Sequence, residues 1–323
     1  MKLSIILPTY NNEKTLRECL KSLTEQNFPG KDHEILILDG GSTDKTIEIA
    51  KSFNVKIIKN PKKSEEPARI MGIKKSKGEI LAFIDADNVV QSKEWISKML
   101  KPFNDSEIAF ADTLYFSYRE KDPAKVKYQA LIGGDDPLAT YLGFYSRWCY
   151  FKNNWTDYPY TILKKESDYW KVKLDDLNLV PAMGSNGFFV RKSILKNIVK
   201  DSFIHSDIVY ELVNKGHNCF AKVSTGIVHI QPNFFGNKIR RLKRRLHNEV
   251  KIKYEYGFSR IKVIKTLFYI ITILPLIKDM IKGYSKKPDT AWFFHLPACL
   301  ILVFIHLPYQ LMFFIKRLSL IRK

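Results

Sequence analysis

Between Leu3 and Ile84 this chain alternates short apolar runs with polar, helix-like stretches, and that alternation restricts its fold more than any other feature. The runs are Leu3–Leu7, Glu34–Leu38, Val55–Lys59 and Ile80–Ile84, bounded by Pro, Gly and Asp. Their length and boundaries predict buried strands. The stretches between them predict helices over about Lys14–Leu23, from Ser42-Thr43-Asp44 to about Phe53, and over about Pro67–Lys75. Strands that alternate with helices form a parallel α/β sheet, and such sheets collect their ligands beyond the carboxyl ends of the strands. The polar groups at those ends are therefore the first candidates for a site.

Three segments qualify. Pro8-Thr9-Tyr10-Asn11-Asn12 follows the first run. Asp39-Gly40-Gly41-Ser42-Thr43-Asp44 follows the second, where glycines allow close backbone approach and Ser, Thr and Asp can cap the next helix. Asp85-Ala86-Asp87 closes the Ile80 run. Side chains two apart leave a strand on one face, so if the strand continues this far both carboxylates can reach one divalent ion or one diphosphate. The alternative for this triplet is a solvated strand-to-helix turn.

Composition narrows the class. With 45% hydrophobic and 13% aromatic residues in 323, the chain can build a core, which excludes a disordered protein. The net charge of +20 suggests a nucleic acid or an anionic membrane as partner. From Gly236 onward 19 Lys and Arg face 4 acids, a net +15 that leaves +5 for the rest, so the basic excess belongs to the tail and points to membrane lipid, not nucleic acid. Cys19, Cys149, Cys219 and Cys299 form no C-x-x-C pair and read as buried thiols of a reducing compartment. No charged-then-apolar leader precedes the first strand, so the first part of the chain is expected to stay in the cytoplasm.

The P-T-Y-N opening, the D-G-G-S-T-D turn, A-R-x-x-G-I-x-x-S-x-G-E and F-I-D-A-D occur in an order that resembles family 2 glycosyltransferases. The similarity is strong over the first third and looser to Gln231. It implies a GT-A fold, an α/β, Rossmann-like mixed sheet that binds a nucleotide-diphosphate sugar, here followed by C-terminal membrane-associated helices. It also implies nucleotide-sugar contacts at Pro8, Thr9, Tyr10, Asn11, Asp39, Gly41, Arg69, Asp85 and Ala86, with Tyr10 covering a base face and Arg69 facing the diphosphate or sugar. Asp87 would hold Mg²⁺ or Mn²⁺, since carboxylate oxygens with water suit those ions and a cation neutralises the diphosphate leaving group; His229 is either a further ligand, as in some members, or a structural histidine after a strand. One departure is Ile70, where the family has Asn after the Arg.

Beyond Asp87 a helix is predicted from Ser92 to Leu100 and a strand over Ile108–Tyr118. Tyr128 to Trp170 is aromatic and loop-rich. Asp135, Asp136 and Trp148 there fit either an acceptor surface or a domain interface, and Gly184-Ser185-Asn186 resembles the family's acceptor-side loop. His205-Ser206-Asp207 resembles the family's Glu-Asp helix start without spelling out the pair. Asp207 is the candidate general base, with helix capping as its other reading and Asp201 and Asp176 as weaker rivals.

The tail begins with Ile239, Leu242, Leu246 and Val250 at helical spacing among Arg240, Arg241, Lys243, Arg244 and Arg245, a basic amphipathic pattern. Thr266–Ile277 is uncharged but short and contains Pro275. Ala291–Ile315 is long enough to cross a bilayer, yet Pro297 and Pro308 leave room for a helix that lies in the interface. The sequence thus predicts a nucleotide-sugar-binding half (1–110) and an acceptor-binding half (111–235) of one GT-A domain, followed by a basic amphipathic helix and membrane-anchoring helices (236–323). The function expected is inverting transfer of a sugar to a lipid-linked or surface-glycan acceptor at the cytoplasmic face of the cell membrane. A nucleotidyltransferase is the second class, although no G-x-G-T-R-like loop is present near the N-terminus, and a non-catalytic membrane adaptor is the third.

Overall fold

The computed structural model describes residues 1–199, 203–230, 234–247 and 254–321. Val250 and Asp201 lie outside the described residues. The predicted alternation is present: β1 (Leu3–Thr9), α1 (Leu16–Thr24), β2 (His33–Asp39), α2 (Thr46–Lys51), β3 (Lys56–Lys59), α3 (Glu65–Lys75) and β4 (Ile80–Phe83). Next come β5 (Asn88–Val90), α4 (Trp95–Leu100), β6 (Phe110–Ser117), α5 (Ala124–Ile132) and α6 (Pro137–Leu142). They are followed by β7 (Tyr160–Lys165), β8 (Tyr169–Leu174), β9 (Phe188–Arg191), α7 (Lys192–Lys196), α8 (His205–Asn214) and β10 (Cys219–His229). Four further helices close the chain: α9 (Phe234–Leu246), α10 (Arg260–Ile271), α11 (Leu274–Lys286) and α12 (His295–Ile321).

The sheet runs β3-β2-β1-β4-β9-β6-β10-β8-β7, with β5 also paired to β10. Its first four strands are parallel. From β9 onward antiparallel pairs enter, apart from the parallel pair β6 and β10. The chain builds outward from β1 through β2 to β3 and then returns to place β4 on the other side of β1. That reversal opens a crevice at the carboxyl ends of β1 and β4, the place where doubly wound sheets bind ligands.

Every residue of β1 is buried, which explains its unbroken apolar run. Leu3, Ile5 and Leu7 pack with Ile35 and Ile37 of β2 and with Leu16, Leu20 and Leu23 of α1. On the other face α3 comes so close that a Cβ on Gly72 would lie 2.5 Å from Ile6 Cγ2. Glycine is needed there for packing, not for its dihedral freedom. Between β6 and β10 the fully buried Lys222 ammonium donates to Asp112 at 3.0 Å.

By its internal contacts the chain forms two compact units. One compact unit comprises Met1–Glu120 with Tyr158–Ile230, and the other Lys121–Asp157 with Gln231–Lys323. β6 lies between β9 and β10, so residues on either side of position 110 share one sheet. The aromatic stretch from Tyr128 is also split: α5 and α6 belong to the second unit, and β7 and β8 extend the sheet of the first.

Candidate active site

The strand-end loops of the first unit are tied into one rim. Asn11, at a left-handed φ of 51°, donates its N–H to Ser42 Oγ at 3.0 Å and accepts from Thr43 N at 2.9 Å. Asn12 N donates to Thr46 Oγ1 at 2.7 Å, Glu13 N to Asp44 at 3.1 Å, and Gly40 N to Thr9 O at 2.8 Å. The Asp39 carboxylate accepts from Gly41 N at 3.0 Å, Ser42 N at 3.1 Å and Ser42 Oγ at 2.6 Å. Asp39 thus builds the turn, which Gly41 enters at φ 85°. Thr9 is buried at the end of β1, with its hydroxyl on Leu7 O, and Pro8 pairs within the strand. Tyr10 is the open member: its ring is 55% exposed at the rim, available to cover a planar ligand.

The two acids after β4 do not leave a strand on one face. β4 ends at Phe83, and Asn88 closes a turn over residues 85–88: its Oδ1 accepts from Asp85 N at 3.0 Å and its N–H donates to Asp85 O at 2.9 Å. The same side chain donates to Asn186 Oδ1 at 2.9 Å, which joins this turn to the Gly184–Gly187 loop. Ala86 is buried between the acids. The turn gives the acids different partners. Asp85 accepts from Arg69 Nη2 at 2.8 Å. Arg69 is 2% exposed, also pairs with Glu65 at 3.3 Å, and lies 5.8 Å from the Phe203 ring centre, so its charge is committed to these acids beneath an aromatic face.

Asp87 faces β10. Its Oδ1 is buried without a hydrogen-bond partner, and His229 Nε2 stands 3.5 Å away. His229 is fixed at the strand end opposite Asn88, Ile230 N donates to Asp87 O at 2.8 Å, and the imidazole stacks on Phe116. A buried carboxylate oxygen left unmatched is expensive unless a cation completes it. Among the described residues no group of three or more His, Cys, Asp or Glu could hold a metal ion. Two protein donors still fit Mg²⁺ or Mn²⁺, because such ions take one or two carboxylates and leave other positions to phosphate and water.

In the loop that Asn88 reaches, Gly184 and Gly187 have φ of 106° and 91°, and Asn186 has φ of 52°. A Cβ on Gly184 would lie 2.7 Å from His205 O, so this loop packs directly on the start of α8. His205 donates from Nδ1 to Gly184 O at 2.6 Å. Burial, and then the nearby Arg69, hold its pKa down to about 4, so the ring is neutral near pH 7. Asp207 follows in the first helical turn and is 6% exposed. The cap position belongs to Ile204, so Asp207 is not the N-cap. Ser185 adjoins Asn186 and accepts from its Nδ2 at 3.2 Å.

Three of the sequence candidates lie elsewhere. Asp135, Asp136 and the half-buried Trp148 belong to the second unit. Asp135 accepts from Arg241 at 2.8 Å. Asp136 caps α6 through Leu138 N at 2.9 Å, accepts from Lys238 at 2.7 Å, and stands 3.3 Å from His306 Nε2. Burial alone would raise its pKa, but Lys238 and His306 bring it down to about 2. Sequence alone assigns no site role to Asn88, Glu65, Phe203 or His205. Asn88 was the one with a local signal, since Asn is among the residues that favour turns.

A mixed sheet with a β1–β4 crevice, rimmed by strand-end loops and two divergent acids, defines a GT-A fold. Residues 4–172, just over half of the sequence, match the family model described as Glycosyl transferase family 2, and the chain belongs to that family. It is 38% identical over 100 residues to poly(ribitol-phosphate) beta-glucosyltransferase of Bacillus spizizenii, covering 29% of this chain and 16% of that protein. It is 38% identical over 91 residues to dolichyl N-acetyl-alpha-D-glucosaminyl phosphate 3-beta-D-2,3-diacetamido-2,3-dideoxy-beta-D-glucuronosyltransferase of Methanococcus voltae, covering 26% of this chain and 28% of that one. The match thus spans less than a third of either relative. Staphylococcus aureus TarS 1-349, solved with UDP-GlcNAc, shares the fold at a TM-score of 0.50 and 16% identity, over 93% of this chain and 80% of that one.

Proposed function

We propose that this protein is an inverting glycosyltransferase that moves a sugar from a nucleotide-diphosphate donor to a lipid-linked or surface-glycan acceptor at the cytoplasmic face of a membrane. The observation that favours this most is Asp87 Oδ1, buried without a hydrogen-bond partner beside His229 at the mouth of the β1–β4 crevice. Asp87 and His229 are the residues that would hold Mg²⁺ or Mn²⁺, and that ion would offset the negative charge developing on the departing diphosphate.

The chain's own groups account for the remaining tasks. Tyr10 covers the base, and the rim from Thr9 through Asp39 and Gly41 fixes where base and ribose lie. Asp85, held by Arg69, keeps the β4 turn rigid at the diphosphate end, so little reorganisation accompanies reaction. Asn186, fastened to Asn88, links donor turn and acceptor loop. Asp207 takes the acceptor hydroxyl proton as that oxygen attacks the anomeric carbon from the side opposite the diphosphate. The names of the two relatives, one acting on poly(ribitol phosphate) and one on a dolichyl phosphate sugar, support polymeric or lipid-linked acceptors.

A panel of nucleotide sugars incubated with the full-length protein and Mn²⁺ tests the reading. The expected result is metal-dependent release of a nucleoside diphosphate from one donor. Release of pyrophosphate, or no turnover with any donor, would reject it.

A further inference from the structure

In the second unit α12 pairs two histidines with polar groups and leaves large apolar side chains exposed. α12 turns His295 inward, where its ring bonds to the Tyr128 hydroxyl at 2.7 Å and the Tyr141 hydroxyl at 2.8 Å. Three turns further on, the same helix presents His306 to Asp136 at 3.3 Å. Between them Ala298, Cys299 and Leu302 are buried. The opposite face is apolar and open, with Phe304 75% exposed and Ile301 and Leu307 beside it. α10 repeats the pattern: Ile261, Ile264, Phe268 and Ile271 share one exposed face, while Ile270 is buried against Leu276 and Cys299. Leu274 and Ile281 continue the open surface on α11. Exposed apolar area on this scale marks an interaction surface.

The charges select the partner. Between Arg260 and Gln310 every exposed charged side chain is basic: Arg260, Lys265, Lys278, Lys282, Lys286 and Lys287. The two acids of that segment are partly buried and engaged, Asp279 with Tyr141 and Tyr269, and Asp289 with Ala291 N. An apolar face flanked only by cations is complementary to a bilayer with anionic headgroups.

The same contacts decide how the helix meets the bilayer. Thr290–Gln310 is, among the described residues, the one helical stretch long and apolar enough to cross a membrane. Its inner face, however, is clamped through Asp136 to Lys238 of α9, the helix that also carries Arg240, Arg241, Lys243, Arg244 and Arg245. A crossing α12 would draw this basic helix into hydrocarbon, where each charge is costly. We infer that α10, α11 and α12 form a monotopic seat that rests in one leaflet of an anionic bilayer, with α12 lying along the interface and Thr290 and Gln310 on the same side. The inference rests on the membrane reading above and adds the mode of attachment.

Full-length protein is floated with sealed phosphatidylcholine vesicles, with and without phosphatidylglycerol. The expected result is binding that strengthens with phosphatidylglycerol and falls about tenfold or more in Phe268→Glu and in Phe304→Glu, both at exposed positions and with unchanged thermal transitions. Thr290→Cys and Gln310→Cys proteins bound to the vesicles are then treated with a membrane-impermeant maleimide, with the wild-type cysteines as background. Labelling of both from outside supports the seat. Protection of Gln310→Cys until the vesicles are opened would establish a crossing helix and overturn the seat while leaving membrane attachment intact. No flotation with either vesicle would overturn both. Loss of self-association in Phe268→Glu with flotation unchanged would assign the face to a second copy of the chain and reject the lipid.

Discussion

Asp85 and Asp87 in the first unit, and Asp135 and Asp136 in the second, look alike in sequence: close-set acids at a loop, each finding basic partners in the folded chain. Asp85 meets Arg69 and Asp87 meets His229, while Asp135 meets Arg241 and Asp136 meets Lys238 and His306. The difference lies in what is left over. Both Asp136 oxygens accept a hydrogen bond, Oδ1 from Leu138 N and Oδ2 from Lys238 Nζ. Asp87 Oδ1 is buried and has no hydrogen-bond partner. A satisfied buried carboxylate holds helices together, whereas an unsatisfied one at a crevice is set for a ligand, and the two respond differently to the same substitution.

The largest contrast is therefore in stability. Asp136→Ala removes a cap and leaves Lys238 buried without its counter-charge, and we expect a loss of about 3–5 kcal/mol in denaturant unfolding. Asp87→Ala should change stability by no more than about 1 kcal/mol, because no hydrogen bond to Oδ1 is lost. Equal losses would break the comparison.

Asp207→Asn sharpens the assignment within the first unit. We expect turnover to fall about 10²-fold while donor affinity, measured by calorimetry, stays near wild type. Asn keeps the size and polarity of the side chain and removes its basicity, so near-normal transfer would move the base elsewhere.

Acid titration gives a smaller and more selective effect. Asp136 has a pKa of about 2 in the folded chain against an ordinary 3.8, so the folded state binds its proton less readily than the unfolded state does. Its contribution of about 2 kcal/mol is fully present above pH 4 and is lost as pH falls toward 2. Unfolding measured across that window should show a pH-dependent decline in wild type that is shallower in Asp136→Asn.

Much of the parallel half of the sheet was legible because its signals are local. Buried strands need apolar runs, and Asp39 and Gly40 mark the end of β2 while β1 runs on through Pro8 to Thr9, so β1, β2 and β4 fall within a residue or two of expectation. The course of the chain after Phe83 was not legible, since extending the strand to Asp87 ignored the competing turn that Asn88 closes. The partners of Arg69 were hidden for another reason: Phe203 and His205 reach it only after the chain has passed through β9. Sequence also could not separate the two acid groups, because Lys238 lies 102 residues from Asp136. In the tail, hydropathy identified an apolar helix but is blind to direction, and His295 and His306 turn inward where a solvated helix would turn such groups out.

Whether the Asp87–His229 pair holds a divalent cation for a nucleotide diphosphate is read by calorimetric titration of UDP and GDP into wild-type and Asp87→Ala protein, with Mn²⁺ and with EDTA. One nucleotide is expected to bind the wild type at least about tenfold more tightly with Mn²⁺, and Asp87→Ala to lose this increment while retaining its thermal transition. An Asp87→Ala protein that bound the same nucleotide with an undiminished Mn²⁺ effect would contradict that role for the pair.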